Sequence, residues 1–240
     1  MGGGAALGVW VRRLAIAVGA LLLALELWYF GCVVFWKWAN PGQTAFMEQD
    51  RVRREHLAPA SAPRPPAPAP RIWVDYSHIS ANLKRAVVTS EDARFLSHEG
   101  VDWEAMEKAY RDNQHRGRTV RGGSTISQQL AKNLFLSARR SYLRKIQEVV
   151  ITFMIEAVWD KRRILEVYLN VVEWGDGIFG AEAGARHYFG VSAAGLDVDQ
   201  AARMAAMLPS PRYFDHHRDT PYLTQRAQAI ERYLPAAQIP

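Results

Sequence analysis

The chain has 240 residues, of which 49% are hydrophobic and 22% charged, a composition typical of one ordinary globular domain with residues to spare. A large multidomain assembly is therefore excluded. The single cysteine, Cys32, cannot form an intrachain disulfide or supply a multi-cysteine zinc site. The 30 Lys and Arg outnumber the 24 Asp and Glu, and this net charge of +6 favours an anionic partner: nucleic acid, a membrane surface or a phosphate-bearing substrate.

A long apolar segment lies near the N-terminus. Residues 14–36 carry one charged side chain and are long enough to cross about 30 Å of hydrocarbon as a helix. A signal peptide would have a shorter apolar stretch and a small-residue cleavage site, which this segment lacks. We therefore predict a retained transmembrane helix at 14–36, after a short segment 1–13. Its charged residue, Glu26, is a functional candidate by position, although a protonated, snorkelling or helix-contacting glutamate is the simpler interpretation.

The region after this helix changes composition twice. Residues 45–57 are polar and predict a helix, and residues 58–70 hold six prolines in 13 residues, which predicts a stiff polyproline II linker. Beyond residue 71, apolar residues recur at spacings of three and four, so we predict a mostly α-helical domain over 71–240 with at most a short strand at 71–76. The helix-like segments are 79–96, 102–114, 125–136, 142–172, 177–190 and 199–210.

Positive charge is concentrated in one part of this domain. Residues 108–145 hold ten Lys and Arg and a single acid, Asp112. They surround residues 121–133, where two glycines and a Ser-Thr pair open a predicted helix. Free backbone N–H groups and the positive end of the helix dipole would suit a phosphate or pyrophosphate there. A capped helix after a flexible basic loop explains the pattern equally well.

Two pairs of acids are candidate catalytic groups. Glu91 and Asp92 stand near the end of an amphipathic segment, a place where acids also occur on solvated helix faces. Glu148 and Glu156 lie in a strongly apolar segment, where carboxylates are either half-buried or paired with a base. The structural interpretation of Glu148 is an internal ion pair, because Arg144 lies four residues before it.

Three long motifs resemble the successive motifs of the family 51 peptidoglycan glycosyltransferases. They are EDARFLSHEGVD, GGSTISQQLAKN and the run from RKIQEVV to HYFG, and the resemblance covers roughly residues 79–211. Several long motifs in the right order are far more specific than any one of them. With a single anchor, the chain resembles the monofunctional biosynthetic transglycosylases of this family rather than its bifunctional penicillin-binding proteins. Neither Ser-x-x-Lys nor Lys-Thr-Gly occurs, so no transpeptidase activity is expected.

This resemblance implies a fold, a place and a reaction. The fold is mainly α and lysozyme-like over residues 71–240, preceded by a juxtamembrane segment and linker at 37–70. The place is the bacterial inner membrane, with residues 1–13 in the cytoplasm and the catalytic domain in the periplasm, an orientation that the Lys/Arg count around the span slightly opposes. The reaction is inverting transfer from lipid II to a growing glycan strand with release of undecaprenyl pyrophosphate. The implied partners are these substrates, the membrane and other cell-wall synthases, without nucleic acid.

The resemblance also implies roles for individual residues. Glu91 matches the general base that deprotonates the 4-hydroxyl of the acceptor GlcNAc. Glu148 matches a second catalytic glutamate that assists near the donor pyrophosphate, helped by a divalent metal, Mg or Mn. The remaining matches shape the site or bind substrate: Asp92, Phe95, His98, Ser124, Gln128, Gln129, Lys132, Asn133, Arg144 and Lys145.

Two other functions fit parts of the sequence. A peptidoglycan-cleaving enzyme of the same architecture would use a lone glutamic acid as proton donor. Such an enzyme needs no pyrophosphate site, so the basic stretch at 108–145 argues against it. A non-catalytic membrane protein that recruits cell-wall machinery would be expected to lack Glu91. Glu91 is present, which argues against this alternative.

Overall fold

The structure is a computed structural model that describes residues 3–57, 71–116, 123–139 and 141–240. The chain divides into two compact units, Met1–Asn40 and Pro41–Pro240. The predicted proline-rich linker at 58–70 lies outside the described residues.

The first unit is built on one helix, α1, from Gly3 to Phe35. Its part from Gly8 to Phe35 is long and apolar enough to cross a membrane, with a mean hydropathy of 2.0. Side chains such as Leu21 and Leu23 are exposed, and a helix that is apolar all round is stable only when other apolar groups or lipid cover it. The helix agrees with the predicted anchor by length and composition.

The regular secondary structure of the second unit is almost entirely helical within the described residues, which confirms the prediction of a mainly α domain. Its one sheet there is a short antiparallel pair, β1 (Glu173–Gly175) and β2 (Ile178–Phe179). The helices are α2 (Ala45–Leu57), α3 (Ala81–Glu91), α4 (Trp103–Arg116), α5 (Ile126–Phe135), α6 (Tyr142–Val158), α7 (Lys161–Val171), α8 (Ala181–Phe189), α9 (Val198–Met207), α10 (Pro211–His216) and α11 (Pro221–Tyr233).

Two groups of helices form the core. Helix α3 packs with α9 and α11, and α5 packs with α6 and α7. Leu83 of α3, Leu130 of α5 and Tyr168 of α7 are completely buried. Since burying one large apolar side chain stabilises a fold by about 1.5–3 kcal/mol, these contacts stabilise the two groups. The C-terminal end of α3 meets α5, and the candidate site lies at this junction.

Two details of the predicted secondary structure are wrong. Residues 71–75 form no strand, because the side-chain amide of Asn170 bonds both the N–H of Val74 (2.9 Å) and its carbonyl (2.8 Å) in place of a neighbouring strand, and Tyr76 begins a short 3₁₀ helix. The segment 142–172 is two helices. The break falls at Asp160, whose carboxylate accepts a hydrogen bond from the N–H of Arg163 (2.7 Å) and caps α7.

Helix α2 begins and ends at the predicted residues and packs on α5. The side chain of Gln49 donates to the carbonyl of Leu136 (3.1 Å) and accepts from the N–H of Ala138 (2.9 Å). The juxtamembrane helix therefore lies in the same compact unit as the helices of the predicted catalytic domain. The predicted domain limits at residues 13, 36 and 70 stay predictions.

Candidate active site

Glu91 is the last residue of α3, and its carboxylate is held from two sides. Its side chain is 11% exposed. Oε2 accepts a hydrogen bond from Nε2 of Gln129 (2.9 Å), and Oε1 accepts one from the hydroxyl of Ser90 (3.0 Å). Arg226 of α11 lies next to the same carboxylate. A carboxylate that is nearly buried, hydrogen-bonded and still reachable is a suitable general base.

Asp92, the residue after α3, ties this helix end to α5. Oδ2 of Asp92 accepts from the backbone N–H of Ile126 (3.0 Å), and Nε2 of His98 lies 2.9 Å from Oδ1. The N–H of Gly100 donates to Nδ1 of His98 (3.2 Å), so the imidazole proton lies on Nε2 and is donated to Asp92. Both side chains are buried, and they fix the position of α5 relative to Glu91.

Helix α5 begins at a capping box. The Thr125 hydroxyl accepts from the N–H of Gln128, and the Gln128 side chain accepts from the N–H of Thr125. Gln128 is completely buried, and its Nε2 has no hydrogen-bond partner among the described residues. Asn133 is also buried. These two predicted substrate-binding residues therefore lie inside the protein, whereas Gln129 contacts Glu91.

Glu148 lies buried in α6 beneath two cations. Nη1 of Arg144 is 2.6 Å from its Oε2, and Nζ of Lys145 bonds its Oε1. Nζ of Lys145 also lies 3.2 Å from the hydroxyl of Ser124, in the segment that leads into α5. The ion pair considered from the sequence is thus present. Two cations on one carboxylate leave a net positive charge that can attract an anion.

Lys132 of α5 carries a further positive charge into this region. Burial lowers the pKa of Lys132; the charges of Glu148 and Glu91 oppose this shift, while Arg144 and Lys145 reinforce it. Lys132 therefore lies within electrostatic reach of both predicted catalytic glutamates. Its ammonium also lies 5.4 Å from the ring centre of Phe46 in α2, a cation–π contact.

Phe95 is completely buried. Nζ of Lys161 lies 4.8 Å from its ring centre, 2.6 Å from the carbonyl of His98 and 2.8 Å from Oε1 of Glu156. The structure thus places Phe95 in the core that supports the first motif, and Glu156 in an ion pair.

Most of the second unit matches one known protein family. A protein-family model described as Transglycosylase matches residues 62–234. The chain belongs to the transglycosylase family. As a transglycosylase it is a glycosyltransferase, as the resemblance implied.

This transglycosylase is similar to curated proteins named biosynthetic peptidoglycan transglycosylase. It is 53% identical over 231 residues to the protein of Laribacter hongkongensis, covering 96% of this chain and 99% of the relative. It is 50% identical over 234 residues to that of Dechloromonas aromatica, covering 98% and 99%. It is 54% identical over 220 residues to that of Janthinobacterium sp. (strain Marseille), covering 92% and 93%.

The transglycosylase has a cluster of carboxylates with a spacing that a metal ion could use. Oxygens of Asp50, Glu173 and Asp176 all lie within 4.8 Å of one another. Each carboxylate is already paired with an arginine: Arg53 and Arg54 bond Asp50, Arg53 also bonds Asp176, and Arg212 bonds Glu173. Three guanidinium groups neutralise these acids, so this donor set does not fit a resident divalent metal while the arginines hold it.

Sequence reasoning missed three residues around Glu91. Ser90 is adjacent to it, but a lone serine forms no motif that marks it as functional. Tyr168 of α7 and Arg226 of α11 come from distant parts of the transglycosylase sequence. Buried tyrosines and helix-surface arginines are too common for a single sequence to single them out, and only the packing of α3, α5, α7 and α11 brings them to the site.

Proposed function

We propose that this transglycosylase polymerises lipid II into peptidoglycan glycan strands and releases undecaprenyl pyrophosphate, with Glu91 as general base. The names of its relatives support the substrate class. The observation that carries the proposal is the juxtaposition of an accessible, hydrogen-bonded carboxylate, Glu91, with Lys132 and the cations on Glu148. Glu91 can accept a proton, while Lys132 and the two cations on Glu148 stabilise the departing pyrophosphate.

The chemistry follows from these positions. The 4-hydroxyl oxygen of the acceptor GlcNAc attacks the anomeric carbon of the donor MurNAc, and Glu91 takes the hydroxyl proton. The new glycosidic bond forms as the bond from the anomeric carbon to the pyrophosphate oxygen breaks. A single displacement on the face opposite the leaving group inverts the anomeric configuration. Negative charge grows on the pyrophosphate, and Lys132, Arg144 and Lys145 are placed to stabilise it.

The second glutamate has a different role in this proposal. Glu148 is buried under Arg144 and Lys145, so it accepts hydrogen bonds from the two cations and fixes their side chains. Preorganised cations lose little conformational freedom when the pyrophosphate binds. A divalent metal, Mg or Mn, stays a prediction.

The remaining features of the proposal concern place and partners. We propose a single-pass inner-membrane protein with the catalytic unit in the periplasm, because a lipid-linked substrate confines the reaction to the bilayer surface, where α1 would hold the enzyme. Contacts with other cell-wall synthases stay a prediction. The proposal includes no transpeptidase activity, and covalent labelling by a fluorescent penicillin would contradict that part.

The decisive experiment incubates the purified full-length protein with lipid II and separates the products. Wild-type protein should form glycan strands, and Glu91→Gln should lose about 100- to 10,000-fold in rate, because the amide keeps the shape but cannot accept the proton. Glu107→Gln is the matched control, since Glu107 is 62% exposed on α4. Near wild-type polymerisation by Glu91→Gln would remove Glu91 from the role.

A further inference from the structure

A chain of two hydrogen bonds connects a buried tyrosine to Glu91. The hydroxyl of Tyr168 donates to Oε1 of Gln129 (2.9 Å), and Nε2 of Gln129 donates to Oε2 of Glu91 (2.9 Å). The three residues come from α7, α5 and α3. Tyr168 is completely buried, so it cannot contact a substrate.

The direction of this chain is determined by chemistry. Burial raises the pKa of Tyr168, and the charges of Glu91 and Asp92 raise it further, so its hydroxyl stays protonated. An ionised carboxylate accepts hydrogen bonds and cannot donate them. The amide of Gln129 must therefore present its nitrogen to Glu91 and its oxygen to Tyr168.

Without the tyrosine hydroxyl, Oε1 of Gln129 would lose its hydrogen bond, and the amide would be held at one end only, by Glu91. An amide oxygen and nitrogen are similar in size, so a glutamine can turn over in the same space. Repulsion between the amide oxygen and the carboxylate of Glu91 opposes this turn, but an amide without its second hydrogen bond can shift, and Nε2 then moves away from Oε2 of Glu91. The remaining hydrogen bond from Ser90 is weaker support, because the Ser90 hydroxyl also lies 3.3 Å from the carbonyl of Ala205.

We propose that Tyr168 is a positioning residue for glycosyl transfer, which acts by holding the Gln129 amide in place so that Nε2 keeps Glu91 in its reactive position. This inference rests on the proposed function of Glu91. It assigns to the Tyr168 hydroxyl a role in turnover and not only in packing. Because Tyr168 acts through Gln129, its effect should disappear when Gln129 can no longer bond Glu91.

The test is a double-mutant cycle with Tyr168→Phe, Gln129→Leu and the double variant in the full-length protein. Tyr76→Phe is the matched control, because Tyr76 is also buried and its hydroxyl also makes one hydrogen bond, to the carbonyl of Pro240 (2.6 Å). The measurements are kcat and KM for lipid II polymerisation and the thermal unfolding midpoint of each variant.

We expect Tyr168→Phe to lower kcat by about 10- to 100-fold, since small misplacements of a catalytic group have effects of this size. Its KM and unfolding midpoint should match those of Tyr76→Phe. Gln129→Leu should lower kcat at least as much, and the double variant should be no slower than Gln129→Leu alone, because residues acting in one chain are not additive.

Four outcomes would overturn the inference. The first two are a kcat for Tyr168→Phe equal to that of Tyr76→Phe, and an effect of Tyr168→Phe on KM alone. The third is a further loss of kcat when Tyr168→Phe is added to Gln129→Leu. The fourth is failure of Tyr168→Phe to fold, which would show that the hydroxyl is needed for folding. Failure of the proposed function looks different: wild type would not polymerise lipid II, or Glu91→Gln would remain active.

Discussion

Nη2 of Arg226 lies 3.6 Å from Oε1 of Glu91. This ion pair joins α11, the last long helix in the described part of the chain, to the end of α3. The Nε of Arg226 is buried and has no hydrogen-bond partner among the described residues. The packing of α3 with α9 and α11 thus places a guanidinium, and not only apolar surface, at the proposed general base.

We expect Arg226→Ala to lower kcat for lipid II polymerisation by about tenfold, because the ion pair with Arg226 helps to hold the Glu91 carboxylate in place and small misplacements of a catalytic group are costly. Arg226→Lys should recover part of the rate, since it keeps the charge. Arg232→Ala is the control, because Arg232 is exposed on the same helix. Initial rates equal for Arg226→Ala and Arg232→Ala would contradict the role.

The positive charges of Lys132 and Arg144 should bind the pyrophosphate of lipid II and not only keep the protein soluble. Lys132→Ala and Arg144→Ala should each lower kcat/KM for lipid II by about 100-fold, since removal of one preorganised charge-stabilising group commonly has an effect of this size. Arg139→Ala, at an exposed position of the same basic stretch, should have little effect. Equal losses for all three variants would favour a diffuse electrostatic attraction instead.

The pH dependence of kcat/KM should reveal the burial of Lys132. Because burial lowers its pKa from the usual 10.5, Lys132 is charged at low pH and loses its charge as the pH rises through this lowered value. The alkaline limb of the profile should therefore fall at a lower pH than an ordinary lysine would give. Lys132→Arg, which stays charged, should move that limb to higher pH, and an unmoved limb would show that another group controls it.

The carboxylates that pair with arginines, Asp50, Glu173 and Asp176, should raise the free energy of unfolding. Burial would raise the pKa of Asp50, but hydrogen bonds from Arg53 and Arg54 outweigh it and keep the pKa low. Asp50→Ala leaves the partner arginines facing one another. Since these arginines are partly exposed, we expect a loss of about 2 kcal/mol, which lowers the unfolding midpoint by roughly 4–8 °C in a protein of this size.

The lowered pKa of Asp50 also makes the stability of the protein depend on pH. A carboxylate with a lowered pKa stabilises the fold above its unfolded pKa, and this contribution is lost as the pH falls through its folded pKa. The difference in unfolding midpoint between wild type and Asp50→Ala should therefore be full at neutral pH and shrink below about pH 4. Asp199→Ala is the control, because Asp199 is 59% exposed and paired only with Arg203 among the described residues. An undiminished difference at acid pH would contradict the electrostatic origin.

The sequence predicted local features better than their assembly. Helix α2 and the ion pair of Glu148 follow from periodicity and from spacings of three and four residues, which are local. The break at Asp160 was missed because apolar periodicity continues across it, while the cap depends on one carboxylate. The bond from Gln129 to Glu91 joins two motifs whose packing is set by long-range contacts, so a single sequence could not specify it.

Residues 1–40 should be needed for efficient encounter with the substrate but not for the chemical step. Residues 1–40 form their own compact unit, and none of the described groups around Glu91 or Glu148 comes from them. A protein lacking residues 1–40 should therefore fold. In detergent it should polymerise lipid II more slowly than the full chain, because the enzyme loses the anchor that raises its concentration where the substrate is.

Glu91→Gln should be equally damaging in both lengths, since the chemistry lies in the second unit alone. The measurement is the initial rate for the two lengths, each with and without the Glu91 change, together with a circular dichroism spectrum to establish folding. Raising the lipid II concentration should bring the truncated enzyme toward the full-length rate. A truncated protein that is folded but inactive at saturating lipid II would show that α1 forms part of the site, and Glu26 would then be the residue of α1 to mutate first.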